Sequence, residues 1–585
     1  MNYSFVQGSK YLIGIPHIDL EKVTEIAECF HLSSALAQTL VARSLCDQAE
    51  IENFLTSSAE KNVHDAKLMK DALKAVARIV QAIENKEKIL ICGDYDVDGI
   101  TSSSLMLMGL LPLGALVNFY LPNRVKDGYG LSTKIVQKAA DNDYKVLITV
   151  DNGITAFAAA ELAAKLNLDL IITDHHRPHD HVPFAYAIVN PHQADCAYPY
   201  KHFAGVGVAF KLISLLYEQK RLQIPGKVIE LLLFGTVADV VPLTGENRYW
   251  VRRGLQYVNE HESYCLQVLK ANSQFCKPEL FSTDIGFSIT PQINALGRLD
   301  DAREGVQFLI GNNASEVDRV GKILLEMNQS RKVVEKQIID EIVGQIESGK
   351  IDISRNLIIT ASKNWPAGVI GLVASRMVSA YGKPTLLFHL TSDGLAKGSC
   401  RSIKEFNIFQ ALTESKDLLL TFGGHSHAAG LSLKIENLPE LTQRLQDKIA
   451  RELTEFDLQQ KLLVDARVSN LEEFSSKLMQ DLRLFEPFGH ENVQPTFYIN
   501  DVVLVQKPQL LKDLHLKCTV FAQGVIKNVI FFNRPDLFEK LTAQADQPFD
   551  IVGQVMHNYW NGVYSVEIQG IDVVVKSDEK IGNTK

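Results

Sequence analysis

The segment Ile89–Ser104, ILICGDYDVDGITSSS, places three aspartates at alternate positions directly after a run of apolar residues. Asp94, Asp96 and Asp98 would repel one another unless a cation lay between them. The pattern D-x-D-x-D-G also begins a calcium EF-hand loop, but that loop needs a glutamate at its twelfth position, where this chain has Leu105. For a single acidic triplet, a surface turn is the simpler interpretation, so other segments must show whether the triplet belongs to a cation site.

Three more segments carry residues that bind hard divalent cations. Asp151 follows the apolar run VLITV, Asp174, His175 and His176 follow LIIT, and Asp239 lies in GTVADVV. In each segment alone, these residues could cap a helix or simply be solvent-exposed polar residues. Apolar strands that repeatedly end in such residues favour one shared site. Carboxylates and imidazoles without thiolates suit Mg²⁺ or Mn²⁺, and the groups suffice for two ions that share a carboxylate. Two such ions support in-line phosphoryl displacement, and a spare imidazole can protonate the leaving oxygen.

The elements that must position these residues follow from the hydrophobic pattern. Between about residues 60 and 240, apolar strand-like runs alternate with helical stretches, which predicts an α/β domain with a parallel, doubly wound sheet. Such sheets bind ligands at the carboxyl ends of their strands, which is where the aspartates and histidines are predicted to lie. The first sixty residues are predicted to form short amphipathic helices.

The second half of the chain is predicted to contain a long helix, another α/β lobe and a small barrel. Residues 314–347 lack proline and repeat apolar side chains every three or four positions, which predicts a long helix, either continuous or broken once, that joins two lobes. Short alternating strands between about 460 and 576 predict a barrel of the OB type. The predicted domains are 1–60 (helical), 61–312 (first α/β lobe), 313–350 (connecting helix), 351–456 (second α/β lobe) and 457–585 (OB-like domain and tail).

Composition limits the function classes. The 585 residues carry a net charge of −9, which argues weakly against nucleic-acid binding, although cations bound by clustered carboxylates would cancel part of that charge. We find no run near the ~18 apolar residues of a membrane span and no signal-peptide pattern. The eight cysteines show no C-x-x-C spacing, which disfavours a zinc ribbon. These features predict a cytoplasmic protein without membrane association.

Several motifs together resemble a known family. The segments GDYDVDG, VDNG, TDHH and ADVVPL, in this order, are similar to the motifs of the DHH phosphoesterase superfamily, and FGGHSHAAG is similar to the GGH motif of the DHHA1 domain. Within that superfamily, LPNRVKDGYG, INALGRLDD and AKGSCRS also resemble segments of the bacterial RecJ exonucleases. The resemblance covers nearly the whole chain. It implies an enzyme that uses Mg²⁺ or Mn²⁺, with ligands for a pair of ions, to degrade single-stranded DNA from 5′ to 3′ into 5′-mononucleotides in repair and recombination.

The resemblance also implies roles for individual residues. The implied metal ligands are Asp96, Asp98, Asp151, His175 and Asp239. Asp94 would support this set, and His176 would face the scissile phosphate. The implied contacts to DNA or phosphate are Arg124, Arg298, Ser399, Arg401 and His425, with Ser399 and Arg401 holding a 5′-terminal phosphate. Two positions depart from the pattern: Cys92 stands where related phosphatases have a histidine, and NWPAGVIG stands where RecJ-like chains usually have W-H-Q-G.

Two alternatives remain open from the sequence. The chain could be a DHH-type phosphodiesterase acting on short oligonucleotides or cyclic dinucleotides, although the N-terminal and OB-like segments disfavour this. It could also be a non-catalytic replication scaffold on a decayed DHH fold, although the complete ligand set disfavours decay. The predicted partner is single-stranded DNA, with a single-strand-binding protein or a helicase as a further candidate.

Overall fold

The computed structural model describes residues 2–123, 130–299, 301–544, 547–560 and 563–575, without the side chains of 298, 299, 557, 559, 560, 563 and 564. The chain divides into two compact units. One comprises Asp47–Asn328 and Leu482–Gln494, and the other comprises Met1–Cys46, Gln329–Asp481 and Pro495–Lys585. Among the helices in these described ranges, none combines the length and the hydrophobicity that crossing a membrane would require.

The first sixty residues contain two strands as well as helices, so the prediction of an all-helical segment is wrong for residues 3–16. The two strands pair as an antiparallel hairpin around a turn closed by the bond from the Gly8 N–H to the Tyr11 carbonyl. Both runs are rich in β-branched and aromatic residues, which favour strands over helices. The elements are β1 (Tyr3–Gln7), β2 (Leu12–Pro16), α1 (Leu20–Phe30), α2 (Ser34–Ala42), α3 (Gln48–Thr56) and α4 (Ala59–Asn62).

The next segment forms the parallel sheet that the apolar runs predict. Its elements are α5 (Ala72–Glu84), β3 (Lys88–Cys92), α6 (Val97–Leu110), β4 (Leu116–Tyr120), α7 (Thr133–Asp141), β5 (Tyr144–Val150), α8 (Phe157–Lys165), β6 (Asp169–Thr173) and β7 (Ala187–Val189). The strand order is β4-β3-β5-β6-β7, with every pairing parallel. The chain passes from β3 to β4 on one side and then returns to β5 on the other, so the order reverses between β3 and β5. A crevice at such a reversal is where α/β sheets bind ligands.

A helical region completes this unit, and its last helix continues past the unit's boundary at Asn328. It comprises α9 (Gly205–Lys220), α10 (Gly226–Ala238), α11 (Gly245–Glu260), α12 (Tyr264–Asn272), α13 (Ser282–Asp284), α14 (Thr290–Leu299), α15 (Arg303–Ile310) and α16 (Ala314–Glu347). Helix α10 is packed against α6, α9 and α11, which explains its almost uniformly apolar sequence. Helix α16 is the long helix that its sequence predicts, and it is continuous over 34 residues rather than broken once, with Val320, Leu324, Ile338 and Ile342 buried.

The second α/β region is built on a mixed sheet. Its elements are β8 (Ile358–Ser362), α17 (Ile370–Tyr381), β9 (Thr385–Leu390), β10 (Leu395–Arg401), α18 (Ile408–Glu414), β11 (Leu419–His425), β12 (Ala428–Lys434), α19 (Leu438–Glu452) and α20 (Glu455–Leu458). The strand order is β11-β12-β10-β9-β8. Only β8 and β9 are parallel, and the other described pairings are antiparallel.

The last region forms the small barrel that its alternating strands predict. Its elements are β13 (Lys461–Leu463), β14 (Ala466–Val468), α21 (Ser476–Phe485), β15 (Phe497–Leu504), β16 (Gln509–Leu511), β17 (His515–Ala522), β18 (Val525–Phe531), α22 (Leu537–Thr542), β19 (Phe549–Trp560) and β20 (Val563–Val575). The pairings run β15-β19-β20-β18-β17 and back to β15, which closes five strands into a ring. This is the arrangement of an OB barrel. Strand β13 pairs in parallel with β2, so the N-terminal hairpin extends into a three-stranded sheet.

Candidate metal centre

The carboxyl end of β3 carries the aspartate triplet into the first turn of α6. Asp96 is the N-cap of this helix, and its Oδ1 accepts a hydrogen bond from the Gly99 N–H at 3.1 Å. Asp98 lies in the first turn, where the helix dipole favours a negative charge. A Cβ at Gly99 would collide with the backbone of Asp94, so only glycine lets the loop fold this tightly over the helix start. Asp94 and Asp96 are thereby brought together with Asp151, with one oxygen of each within 4.8 Å of the others.

The Asp98 carboxylate is held by the amino end of a second helix, α9. Its Oδ2 accepts a hydrogen bond from the Gly205 N–H at 2.6 Å, and its Oδ1 accepts one from the Val206 N–H at 2.8 Å. Burial, followed by the charge of Asp96, raises the pKa of Asp98 to about 7, although the two backbone hydrogen bonds oppose this shift. The side chain is therefore fixed in place but costly to ionise unless a cation is bound.

Asp151 and Asp239 complete the carboxylate cluster from two other elements. Asp151 follows β5 with a φ of 61°, a left-handed conformation that is strained for a non-glycine residue. A Cβ at Gly205 would come within 2.8 Å of the Asp151 Cα, so glycine permits this close approach of α9. Asp239 caps the carboxyl end of α10 and does not follow a strand. Burial, and then the neighbouring Asp98, raises the pKa of both carboxyl groups.

His175 lies among these carboxylates. Its Nε2 is 3.2 Å from Asp151 Oδ1, 3.6 Å from Asp239 Oδ2 and 3.9 Å from Asp98 Oδ2. Burial lowers the pKa of His175 to about 3, so the ring is neutral at neutral pH. The ring also hydrogen bonds to the Phe203 backbone, whereas the buried Nε2 has no hydrogen-bond partner among the described residues. A neutral imidazole that aims a lone pair at three carboxylates fits a divalent cation and fits no other role as well.

His176 differs from its neighbour in exposure and charge. Its side chain is 39% exposed, and its Nδ1 lies 2.8 Å from Asp174 Oδ1. Burial would lower the pKa of His176, but the hydrogen bond and charge of Asp174 outweigh it and raise the pKa to about 9. Asp174 is fully buried, and its Oδ2 accepts a hydrogen bond from the Ile154 N–H at 2.9 Å. His176 is therefore a protonated donor beside the cluster, and it is held by Asp174, which the sequence identified only as one of several possible cation-binding residues.

Cys92 is not part of the donor set. Burial raises the pKa of its thiol to about 12, and its carbonyl accepts a hydrogen bond from Asn152 Nδ2 at 3.1 Å. The position supports the loop that follows β5 through its backbone.

The residues expected to contact DNA lie elsewhere in the chain. Arg124 lies outside the described residues, and Arg298 belongs to α14 with its side chain outside the described set. Ser399 and Arg401 lie in β10, and His425 ends β11, so all three belong to the other compact unit. The structure therefore brings together Asp94, Asp96, Asp98, Asp151, His175, His176 and Asp239 within one unit.

The mixed sheet presents Ser399, Arg401 and His425 on one face. Arg401 and His425 both pair with Ala428 of β12, from its two sides, and Ser399 lies two positions before Arg401 on the same strand. Directly paired residues point to the same face of a sheet, so these three side chains share a face, which we call the Arg401 face. Arg401 Nη1 donates to Ser399 Oγ at 3.3 Å, and a Cβ at Gly371, in the first turn of α17, would lie 3.4 Å from Arg401 Nη2.

Comparison with known proteins decides the family. The model of the DHH family N-terminal domain matches residues 88–236, that of the DHHA1 domain matches 354–451, and that of the RecJ OB domain matches 464–572. A single-stranded-DNA-specific exonuclease RecJ of Bacillus subtilis (strain 168) is 35% identical over 556 residues, covering 95% of this chain and 70% of the relative. The chain belongs to the RecJ family.

Solved structures of RecJ proteins agree with this assignment. RecJ from Thermus thermophilus, in complex with Mn²⁺, matches 96% of this chain and 79% of its own with a TM-score of 0.81 and 25% identity. An exonuclease RecJ bound to manganese matches 66% of this chain and 98% of its own with a TM-score of 0.57 and 30% identity. Metal-bound RecJ structures and the acidic cluster together indicate a divalent-metal site here.

Proposed function

We propose that this protein is a metal-dependent exonuclease that degrades single-stranded DNA from the 5′ end and releases 5′-mononucleotides. The observation that carries the proposal is the buried Nε2 of His175, neutral and directed at the carboxylates of Asp98, Asp151 and Asp239. Its similarity to proteins named single-stranded-DNA-specific exonuclease RecJ supports the substrate class.

The donor set is large enough for two ions. His175, Asp98 and Asp239 form one group of close ligand atoms, and Asp94, Asp96 and Asp151 form another. Asp151 also approaches His175 at 3.2 Å, so its carboxylate is the natural bridge between the two groups. When bound, two Mg²⁺ or Mn²⁺ ions would supply Lewis-acid stabilisation of the attacking and leaving oxygens of a phosphodiester.

The protein contributes a proton donor beside this cluster. His176 carries a proton at neutral pH because Asp174 stabilises the imidazolium, and its ring centroid lies 4.4 Å from that of His175. A protonated imidazole can donate a hydrogen bond to the scissile phosphate and a proton to the leaving 3′-oxygen. Asp174 fixes which nitrogen faces the substrate, because it accepts from Nδ1 and leaves Nε2 for the phosphate.

Direction requires a second subsite, because two-metal hydrolysis has no intrinsic polarity. A terminal 5′-phosphate carries more charge and more acceptor oxygens than an internal diester. The Arg401 face offers a guanidinium, the Ser399 hydroxyl and the first turn of α17, all of which suit a phosphate. We assign the 5′-phosphate to this face, with His425 as an additional contact and with Arg124 and Arg298 contacting the DNA backbone.

The OB barrel is proposed to bind single-stranded DNA, since such barrels bind single strands through basic grooves and stacking rings. This assignment favours long strands over dinucleotides as substrates. DNA repair and recombination in the cytoplasm, with a single-strand-binding protein or a helicase delivering the strand, is the setting that fits such an enzyme.

The decisive assay is digestion of labelled oligonucleotides by the whole protein. Matched single strands labelled at the 5′ or 3′ end, their duplexes and a dinucleotide are incubated with Mn²⁺, with Mg²⁺ or with a chelator. We expect metal-dependent release of mononucleotides from the 5′ end of single strands only. Digestion from the 3′ end would refute the polarity, and a preference for the dinucleotide would identify a small-substrate phosphodiesterase instead.

A further inference from the structure

A cavity on the far end of α10 from Asp239 contains a second cluster of reactive groups. The cavity has a volume of about 340 Å³ and is lined by Lys227, Ser263 and Cys265 together with apolar side chains such as Met108, Leu309 and Val317. Lys227 lies in the first turn of α10, whereas Ser263 is the N-cap of α12 and Cys265 lies in the first turn of that helix. The nuclease proposed above uses none of these residues.

The contact between Lys227 and Cys265 is unusually short. Lys227 Nζ lies 2.7 Å from Cys265 Sγ, a separation normal for N–H···O hydrogen bonds although sulfur is a larger atom than oxygen. Around this pair, Lys227 Nζ is 2.5 Å from Glu230 Oε1, and Ser263 Oγ is 2.8 Å from the same oxygen and 3.2 Å from Cys265 Sγ. Amine and thiol are therefore held against each other by an acid and a hydroxyl.

The resting pair consists of an ammonium and a thiol. Burial raises the pKa of Cys265, with Glu230 adding to the effect. Burial would lower the pKa of Lys227, but the charges of Glu230 and Cys265 and the hydrogen bonds to them together raise it. The pair therefore does not supply a thiolate nucleophile. Glu230 is completely buried, and its Oε1 holds both the Lys227 amine and the Ser263 hydroxyl beside the sulfur.

We propose that Lys227 and Cys265 form a reversible covalent cross-link in which one oxygen atom bridges nitrogen and sulfur. The oxidant is molecular oxygen, for which the apolar lining of the cavity provides a place beside the pair. The thiol, the ammonium and O₂ give Cys–S–O–NH–Lys, one water molecule and one proton, which is released to solvent. Sulfur and nitrogen together lose four electrons, one oxygen atom enters the bridge, and the other leaves as water with the thiol hydrogen and one amine hydrogen.

Such a bridge would act as a redox-sensitive staple. It joins positions 38 residues apart and ties the first turns of α10 and α12 together. A cross-link of this kind stabilises a fold mainly by restricting the unfolded chain. Two equivalents of a dithiol return the four electrons and restore the amine, the thiol and water.

The test is peptide mass spectrometry of the whole protein after exposure to air-saturated buffer, compared with anaerobic protein kept in dithiothreitol. We expect a cross-linked peptide pair containing Lys227 and Cys265, with one oxygen gained and two hydrogens lost, and its disappearance on reduction. The apparent melting temperature should be several degrees higher in the oxidised sample. Cys276→Ser, which removes an exposed cysteine of the same unit, is the matched control and should cross-link normally.

Cys265→Ser and Lys227→Arg should both abolish the cross-linked mass and the thermal shift. If either variant fails to fold, the peptide masses of the wild-type and Cys276→Ser proteins still show whether the oxygen-bridged cross-link forms. Loss of two hydrogens without added oxygen would show a direct S–N bond and overturn the bridge. Unmodified Cys265, or Cys265 as a sulfinic acid in a linear peptide, would overturn the cross-link altogether.

Discussion

In the metal centre, Asp98, Asp151 and Asp174 are almost fully buried, whereas the side chains of the Arg401 face remain half-buried or exposed. The metal centre concentrates like charges and raises their pKa values, so it is costly until a cation arrives. The Arg401 face carries an arginine that is always ionised and needs no partner to remain charged. This difference agrees with the proposal that the metal centre performs the chemistry and the Arg401 face holds a charged strand end.

Substitution of Asp151 is expected to have the largest effect. Asp151→Asn removes the carboxylate shared by the two groups of ligand atoms, so nuclease activity should fall to the detection limit with either metal. Asp143→Asn is the matched control, because Asp143 is exposed, belongs to the same lobe and has the same φ of 61°. Initial rates on a 5′-labelled single strand measure both variants, and near-normal turnover by Asp151→Asn would exclude it as a ligand.

The two adjacent histidines should separate into metal binding and proton donation. His176→Ala should retain Mn²⁺ affinity and lose kcat by roughly 10²–10⁴-fold, as expected for removal of a general acid. His175→Ala should lose Mn²⁺ affinity itself. Calorimetric titration with Mn²⁺ and single-turnover rates measure the two properties, with exposed His179→Ala as the control. Failure of His176→Ala to bind Mn²⁺ would mean that the roles are wrongly divided.

On the Arg401 face the expected effect is smaller and depends on the substrate end. Arg401→Ala should lower kcat/KM roughly 10–100-fold on 5′-phosphorylated strands, the equivalent of one charged hydrogen bond, and much less on 5′-hydroxyl strands. Mn²⁺ affinity should not change. Arg451→Ala, at an exposed arginine of the same region, provides the control. An equal loss on both substrates would make Arg401 a general backbone contact.

The smallest expected effect concerns stability without metal. Because the folded pKa of Asp98 is raised to about 7 and those of Asp151 and Asp239 are also raised, the stability they contribute is complete below about pH 4 and is lost as pH rises. The pKa of His176, raised to about 9, also makes stability fall as pH rises, but at higher pH than the carboxyl groups do. The melting temperature in chelator should therefore fall by a few degrees between about pH 6.5 and 8, which lies above the range where the lowered pKa of His175 acts in the opposite direction, and Mn²⁺ should restore it. Asp98→Asn should flatten the chelator curve, and an unchanged slope would contradict the assigned pKa shifts.

Sequence patterns predicted the metal centre better than its supporting contacts. Apolar runs followed closely by the aspartate triplet 94–98, by Asp151 and by the segment 174–176 mark strand ends, and parallel strands bring their carboxyl ends together, so the proximity of these residues follows from local pattern. The hydrogen bonds from the Gly205 and Val206 amides to Asp98 cannot be predicted from the local sequence, because those residues lie more than one hundred positions away. The sequence feature that could have indicated this close approach to Asp98 is the glycine-rich start of α9, GVGVAF. Asp239 capping a helix was likewise hidden in a uniformly apolar run.

The fold shows the same division between local and distant causes. The 34-residue helix and the OB barrel were predictable because each depends on periodicity within its own segment. The hairpin of β1 and β2 was missed because its strands are short and its third partner, β13, is contributed from residue 461 onwards. Pairing over such a sequence distance leaves no mark in either segment alone.

The most direct test of the central claim is to locate the metal. Crystals grown with Mn²⁺ and measured at the manganese absorption edge give anomalous density that places the ions without reference to activity. We expect peaks in contact with His175 Nε2 and the carboxylates of Asp98, Asp151 and Asp239, and a second peak beside Asp96 that shares Asp151. Full Mn²⁺ occupancy at any other place in the chain, with none at His175, would contradict the account.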